Sequence, residues 1–200
     1  MTGDNATLAV IEALDRVGVP YMLVGSFSSN AYGVVRATKD ADIVVAWKGR
    51  SVSAVMKKLG PEFRLDPQMQ FESVTGTIRS IIEVESIPFR VELFRLSDDP
   101  HDLARFERRK RVFHAGFGRQ IFIPTPEDVI ITKLRWAVGA ARGKDRDDVR
   151  DVIAVLGDDA LDWEYIYRWA EEHGTRKVLN EIRATIPEIS REENHDPRGT

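Results

Sequence analysis

The stretch from Tyr21 to Val45 constrains this chain more than any other. It opens with Tyr21-Met22-Leu23-Val24, an apolar run too short for a helix, which reads as a buried strand. Gly25-Ser26 then turns the chain into a short helix, roughly Ser26 to Tyr32, that stops at Gly33. Serine is a favoured N-cap, and glycine is favoured just past a helix end. A loop carrying Arg36 and Thr38 leads into a second strand, with Asp40 and Asp42 at its start and Ile43-Val44-Val45 behind them. A strand, helix, strand unit of this kind calls for a sheet with helices packed on it.

Residues two apart on a strand point to the same face, so Asp40 and Asp42 project together. Two carboxylates that close repel, and burial pushes one of them to protonate. A bound cation removes the conflict, and hard divalent ions such as Mg2+ take carboxylate and phosphate oxygens. The turn at Gly25 and Ser26 offers free backbone N–H groups to a phosphate. Together these features describe a site for a metal-bound nucleoside triphosphate.

Gly25-Ser26, a spacer, then Asp40-Ala41-Asp42 resembles the Gly-Ser…Asp-x-Asp signature of the polymerase-beta-type nucleotidyltransferase superfamily. That family takes a third carboxylate, usually Asp, from the next central strand. Here the alternating segment Ile87 to Phe94 places Glu92 there, one methylene longer. Glu92 could instead be paired with Arg90 or another arginine. Glu83 and Glu85 are weaker candidates, because their stretch is less apolar.

Further on, Lys133 sits in an apolar-rich helix, where a lysine either carries its amine to the surface or reaches an anion. Asp145 and Asp148, three apart, share a helix face. They could orient Lys133, contact base or ribose, or supply charge to a helix start. Lys133-Leu134 followed by Lys144-Asp145…Asp148 is similar to the AbiEii-type toxin branch of the superfamily. The resemblance spans roughly residues 6 to 156. It implies catalytic and metal roles for Asp40, Asp42 and Glu92, and nucleotide contacts from Gly25, Ser26, Arg36, Lys133, Asp145 and Asp148. It also implies Mg2+ or Mn2+ as cofactor and an NTP as substrate. The acceptor would be RNA (tRNA) or protein, with a cognate toxin or antitoxin as partner. Two alternatives stay open: a catalytically inactive nucleotide-binding or regulatory protein of the same fold, and a small-molecule, antibiotic-type nucleotidyltransferase.

Composition narrows the classes. The 200 residues suffice for one compact domain with a helical appendage. A net charge of −3 gives no global attraction to nucleic acid or membrane. Without cysteine, disulfides, thiolate zinc sites and cysteine nucleophiles are excluded, which suits the cytoplasm. No apolar run approaches the ~20 residues of a membrane span, and residues 1 to 5 carry no signal-peptide pattern.

Elsewhere Asp4 or Asn5 is expected to cap a helix over roughly 6 to 17, and Val52 to Leu59 reads as another. Residues 63 to 95 read as extended, with a bend at Gly76. The basic run Arg105 to Arg111 is either a phosphate contact or a solvated helix end. Residues 112 to 123 read as a hairpin. Thr125-Pro126 opens a helical half, in which Trp163, Ile166, Tyr167, Trp169 and Ala170 read as core. The four histidines show no ligand spacing. The expected fold is therefore α/β (α+β): a small mixed sheet with flanking helices over 1–124, a helical subdomain over 125–188, and a disordered tail over 189–200.

Overall fold

A computed structural model describes residues 1–187; the tail expected at 189–200 lies outside the described residues. In chain order the elements are α1 (Gly3–Val17), β1 (Tyr21–Val24), α2 (Gly25–Asn30), β2 (Asp40–Val45), α3 (Val52–Met56), β3 (Phe63–Leu65), β4 (Gln70–Glu72), β5 (Thr77–Val84) and β6 (Arg90–Arg95). There follow α4 (Pro100–Arg108), β7 (Lys110–His114), β8 (Arg119–Ile123), α5 (Pro126–Gly139), α6 (Gly143–Leu156), α7 (Trp163–Glu172) and α8 (Arg176–Arg183). This is the expected mixed α/β architecture with a helical C-terminal half.

The main sheet runs β1-β2-β6-β5-β3, with β4 also paired to β5. Only β2 and β6 are parallel, with Asp42 opposite Glu92; the other pairings are antiparallel. Strand alternation gives the sheet two different faces. Ala41, Ile43, Val45, Val91 and Leu93 face the main core, which includes Ile11 and Leu14 of α1 and Val55 of α3. On the opposite face, Met22, Val44 and Phe94 form a smaller cluster with Phe106 of α4. Asp40, Asp42 and Glu92 share this second face by alternation, at the β2 and β6 ends nearest α2.

The helical half has a core of its own, built on Ile130, Leu134, Val149, Val152, Ile166 and Leu179. Tyr32 packs against both cores, and its hydroxyl donates to the Pro124 carbonyl at 2.9 Å. Thr125 caps α5 with Pro126 in the first turn, as expected. Asp128 is a second tie: it is fully buried and accepts hydrogen bonds from Tyr165 (2.8 Å) and Thr125 (2.9 Å). His101 (3.3 Å) and Arg108 (3.4 Å) also reach it, joining α4, α5 and α7.

Several local expectations shift. Thr2, not Asp4 or Asn5, caps α1, because Thr2 is the extended residue whose carbonyl takes the first helical bond. α2 starts at Gly25 with Val24 as an uncapped N-cap residue, so Ser26 lies inside the helix. The basic run is largely neither a phosphate strip nor a solvated helix end: Arg105 is buried against Asp102 at 2.9 Å, and Arg108 reaches Glu127 and Asp128. Arg109 lies over the Phe106 and Phe122 rings. Its guanidinium groups are spent on holding α4 to its neighbours. None of the described helices is long and apolar enough to cross a membrane.

Candidate active site

The strand ends of β2 and β6, the start of α2 and the facing side of α5 enclose a cavity of about 420 Å³. Gly25, Ser26, Asp40, Asp42, Glu92, Lys133 and Asp145 all line it. Residues from both halves of the chain therefore meet at one wall.

Gly25 lies at the strand-to-helix junction with φ +63°, and a Cβ there would stand 2.2 Å from Asp42 Oδ2. Only glycine tolerates both the left-handed backbone and the carboxylate against it. Ser28 and Ser29 hydroxyls donate to the Gly25 carbonyl at 2.9 and 3.1 Å and hold the turn in place.

Asp40 accepts from the Thr38 hydroxyl at 3.0 Å, and no described cation forms an ion pair with Asp40 or Asp42. The result is a clear conflict of charge. Burial, then Asp40, then Glu92 push the Asp42 carboxyl up from 3.8 to about 7, against weaker opposing pulls from Lys133 and Arg79. Oxygen-rich, uncompensated and facing a cavity, this pair fits a hard divalent cation.

Glu92 behaves differently. It is 2% exposed, and its Oε2 accepts from Arg79 Nη1 at 2.6 Å. Its Oε1 lies 2.9 Å from Arg90 Nε. Of the two expectations for Glu92, the structure displays the arginine pairing. Arg79, from β5, is a residue of the cavity wall that sequence reasoning missed; its signal was only an arginine within an apolar strand pattern.

Lys133 is buried, with Nζ at 2.8 Å from Asp145 Oδ1 and 2.6 Å from Asp148 Oδ2. Arg36 grips Asp148 with two bonds of 3.0 Å, and the Ser29 hydroxyl adds a third at 3.3 Å. These bonds from Arg36 and Lys133 hold the Asp148 carboxyl below the usual carboxylate range despite its burial. Of the alternatives left open for Asp145 and Asp148, their contacts are those of residues that orient Lys133. A fork from the α2–β2 loop to α5 and α6 thus fixes a cation at the cavity wall.

A separate grouping escaped the sequence because His173 lies far along the chain from Asp99 and His101. Asp99, His101 and His173 each bring one possible ligand atom within 4.8 Å of the others. Nδ1 of both histidines is buried without a partner. Arg135 stands 3.4 Å from Asp99 and already supplies positive charge there.

No protein-family model matches the chain, and no curated protein sequence matches it. Solved structures do. ANT(2")-Ia in complex with adenylyl-2"-tobramycin superposes with a TM-score of 0.60 at 14% identity, covering 88% of this chain and 99% of that one. An antigenic nucleotidyltransferase-like protein from Paracoccidioides brasiliensis gives 0.53 at 16%, covering 88% and 90%. JHP933 from Helicobacter pylori gives 0.53 at 13%, covering 92% and 90%. The fold is thus of the nucleotidyltransferase type; these likenesses do not single out the AbiEii-type branch.

Proposed function

We propose that this protein is a metal-dependent nucleotidyltransferase that moves a nucleoside monophosphate from an NTP to an acceptor hydroxyl. The observation that carries this reading is the uncompensated Asp40–Asp42 pair against the Gly25 turn, on a nucleotidyltransferase-type sheet. A divalent cation, Mg2+ or Mn2+, held by Asp40 and Asp42 supplies neutralisation of the triphosphate and of the charge developing on the reacting oxygens.

The remaining roles belong to the chain. Gly25 and Ser26 offer backbone and hydroxyl donors to the terminal phosphates, and Gly25 lets a phosphate approach the backbone closely. Lys133, held by Asp145 and Asp148, presents a fixed positive charge to the triphosphate, and Arg36 supports it through Asp148. Glu92 keeps a second lone pair on each oxygen beside its arginine bonds. One of these accepts the proton of the acceptor hydroxyl. The hydroxyl oxygen then bonds to the α-phosphorus, the bond to the α–β bridging oxygen breaks, and pyrophosphate leaves with the electron pair. The two structural units in this reading are 1–124, which brings the carboxylates, and the helical remainder from 125, which brings the lysine.

The charges around the cavity favour an anionic acceptor such as the end of an RNA chain. The other acids of the wall are engaged: Glu72 accepts from the Val74 and Thr75 amides, Asp102 pairs Arg105, and Asp145 pairs Lys133. By contrast, Arg95 and Lys144 line the cavity without a carboxylate partner among the described residues. Phe71, 70% exposed, and Trp136 beneath the Arg142 guanidinium (4.9 Å) offer faces on which bases stack. A polycationic acceptor of the aminoglycoside kind would need free carboxylates beyond the metal pair. A toxin role, with a cognate antitoxin and a cytoplasmic setting, rests on the sequence resemblance; growth arrest on expression that needs Asp42 would support it.

The test is incubation of the purified chain with each α-32P-labelled NTP, Mg2+ or Mn2+, and total tRNA, protein extract or tobramycin, beside the Asp40→Asn/Asp42→Asn variant. Metal-dependent label on RNA, absent from the variant, is expected. Metal-dependent nucleotide binding without transfer would instead mean an inactive binding protein of this fold.

A further inference from the structure

The three acids of the site are not equivalent. Glu92 stands opposite Asp42 in the parallel register, yet two guanidinium groups claim it. Arg79 is itself fixed from a third strand. Its Nε and Nη2 donate to Gln70 Oε1 at 3.2 and 2.7 Å, and Gln70 is its cross-strand partner in β4. Its guanidinium also lies 5.7 Å from the Phe94 ring centre. β4, β5 and β6 together thus hold a positive charge against Glu92, from a side chain only 27% exposed.

The charge balance then separates the acids. Glu92 is already compensated, whereas Asp40 and Asp42 have no paired cation among the described residues and would carry two negative charges once both are ionised. Two negative charges match one divalent ion. A second ion between Asp42 and Glu92 would stand beside the Arg79 guanidinium. Such an ion would have to share Glu92 with two guanidinium groups, and their positive charges repel a divalent cation at that range.

We infer that Arg79 keeps Glu92 out of the metal-ligand set, so that the site takes one divalent cation, on Asp40 and Asp42, rather than the two of a three-carboxylate centre. The inference rests on the nucleotidyltransferase reading above. It makes Arg79 a positioning residue: it orients Glu92 toward the acceptor hydroxyl and takes the place of an ion.

The experiment counts Mn2+ by electron paramagnetic resonance in the full chain saturated with an α,β-methylene NTP analogue. One Mn2+ per complex is expected for the wild type and for Arg79→Lys, which keeps the charge; two are expected for Arg79→Met. Glu92→Gln should leave the count at one and the Mn2+ affinity within about twofold, because Glu92 is not a ligand. This last variant decides the matter even if Arg79→Met fails to fold. Two ions in the wild type, one in a folded Arg79→Met, or a tenfold loss of affinity in Glu92→Gln would each overturn the inference. Two ions with label transfer intact would remove this inference alone; no ion at all would remove the nucleotidyltransferase reading with it.

Discussion

Asp42 Oδ2 occupies the space where a side chain on Gly25 would begin: a Cβ there would lie 2.2 Å from it. The turn and the acid are therefore one feature, and neither can change alone.

Gly25→Ala meets both a φ of +63° and that contact. It is expected to cost about 2–3 kcal/mol of stability and to weaken NTP binding. Urea denaturation and calorimetry measure the two effects. Unchanged stability would mean that the backbone at this turn is freer than the geometry shows.

Asp42 gives a pH signature in metal-free buffer. Its folded value of about 7 lies above the ordinary 3.8, so the folded protein holds this proton more tightly than the unfolded chain. The contribution is full below pH 3.8 and is lost as pH rises through 7. Asp42→Asn removes the penalty and should be more stable than wild type by about 2 kcal/mol at pH 8, with little difference at pH 4. Mg2+ should raise the wild-type Tm at pH 8 and leave that of Asp42→Asn unmoved. Parallel pH profiles for the two proteins would refute the assignment.

Asp148 serves two cations at once, Lys133 at 2.6 Å and Arg36 at 3.0 Å. Asp148→Ala leaves both without it and should cost about 3 kcal/mol. Lys133 would keep only Asp145, so the KM for NTP should rise as well. A variant with native stability and KM would show that the fork does not orient the lysine.

Arg95 and Lys144 are expected to serve the acceptor and not the nucleotide. Reversing both, Arg95→Glu with Lys144→Glu, should raise the KM for an RNA acceptor about tenfold and reduce the slope of log affinity against log salt by ~1.4. NTP binding measured by calorimetry should be unaffected. If the variant instead gains activity on tobramycin at the expense of RNA, charge selects the acceptor class. If neither acceptor responds, the cavity wall does not read acceptor charge.

Much of the sheet half and the start of the helical half were legible in the sequence because their signals are local. The apolar run before Gly25, the Asp pair at alternate positions and the Thr125-Pro126 helix start each need only a few neighbouring residues to be recognised. The state of Glu92 was not legible, since it depends on Arg79 from another strand and on Gln70 beyond that. The same holds for the basic run. Arg105 and Arg108 look like a surface strip in the sequence, and only the docking of α4 on α5 buries the Arg105–Asp102 pair and brings Glu127 and Asp128 to Arg108. Asp128, which gathers four side chains, gave no signal at all beyond an acidic residue in a first helical turn.

The fork of Arg36, Asp148, Lys133 and Asp145 crosses from the sheet half to the helical half. This limits how such a chain can be rebuilt by recombination. A helical half borrowed from another protein could cover the sheet with any suitable apolar stripe, and the hybrid would fold. It would work only if the donor brought a lysine facing the strand ends and two aspartates one helical turn apart on the next helix. The recipient would also have to keep an arginine in the loop before the Asp pair. Lineages that exchange these halves should therefore carry the four residues together or lose them together.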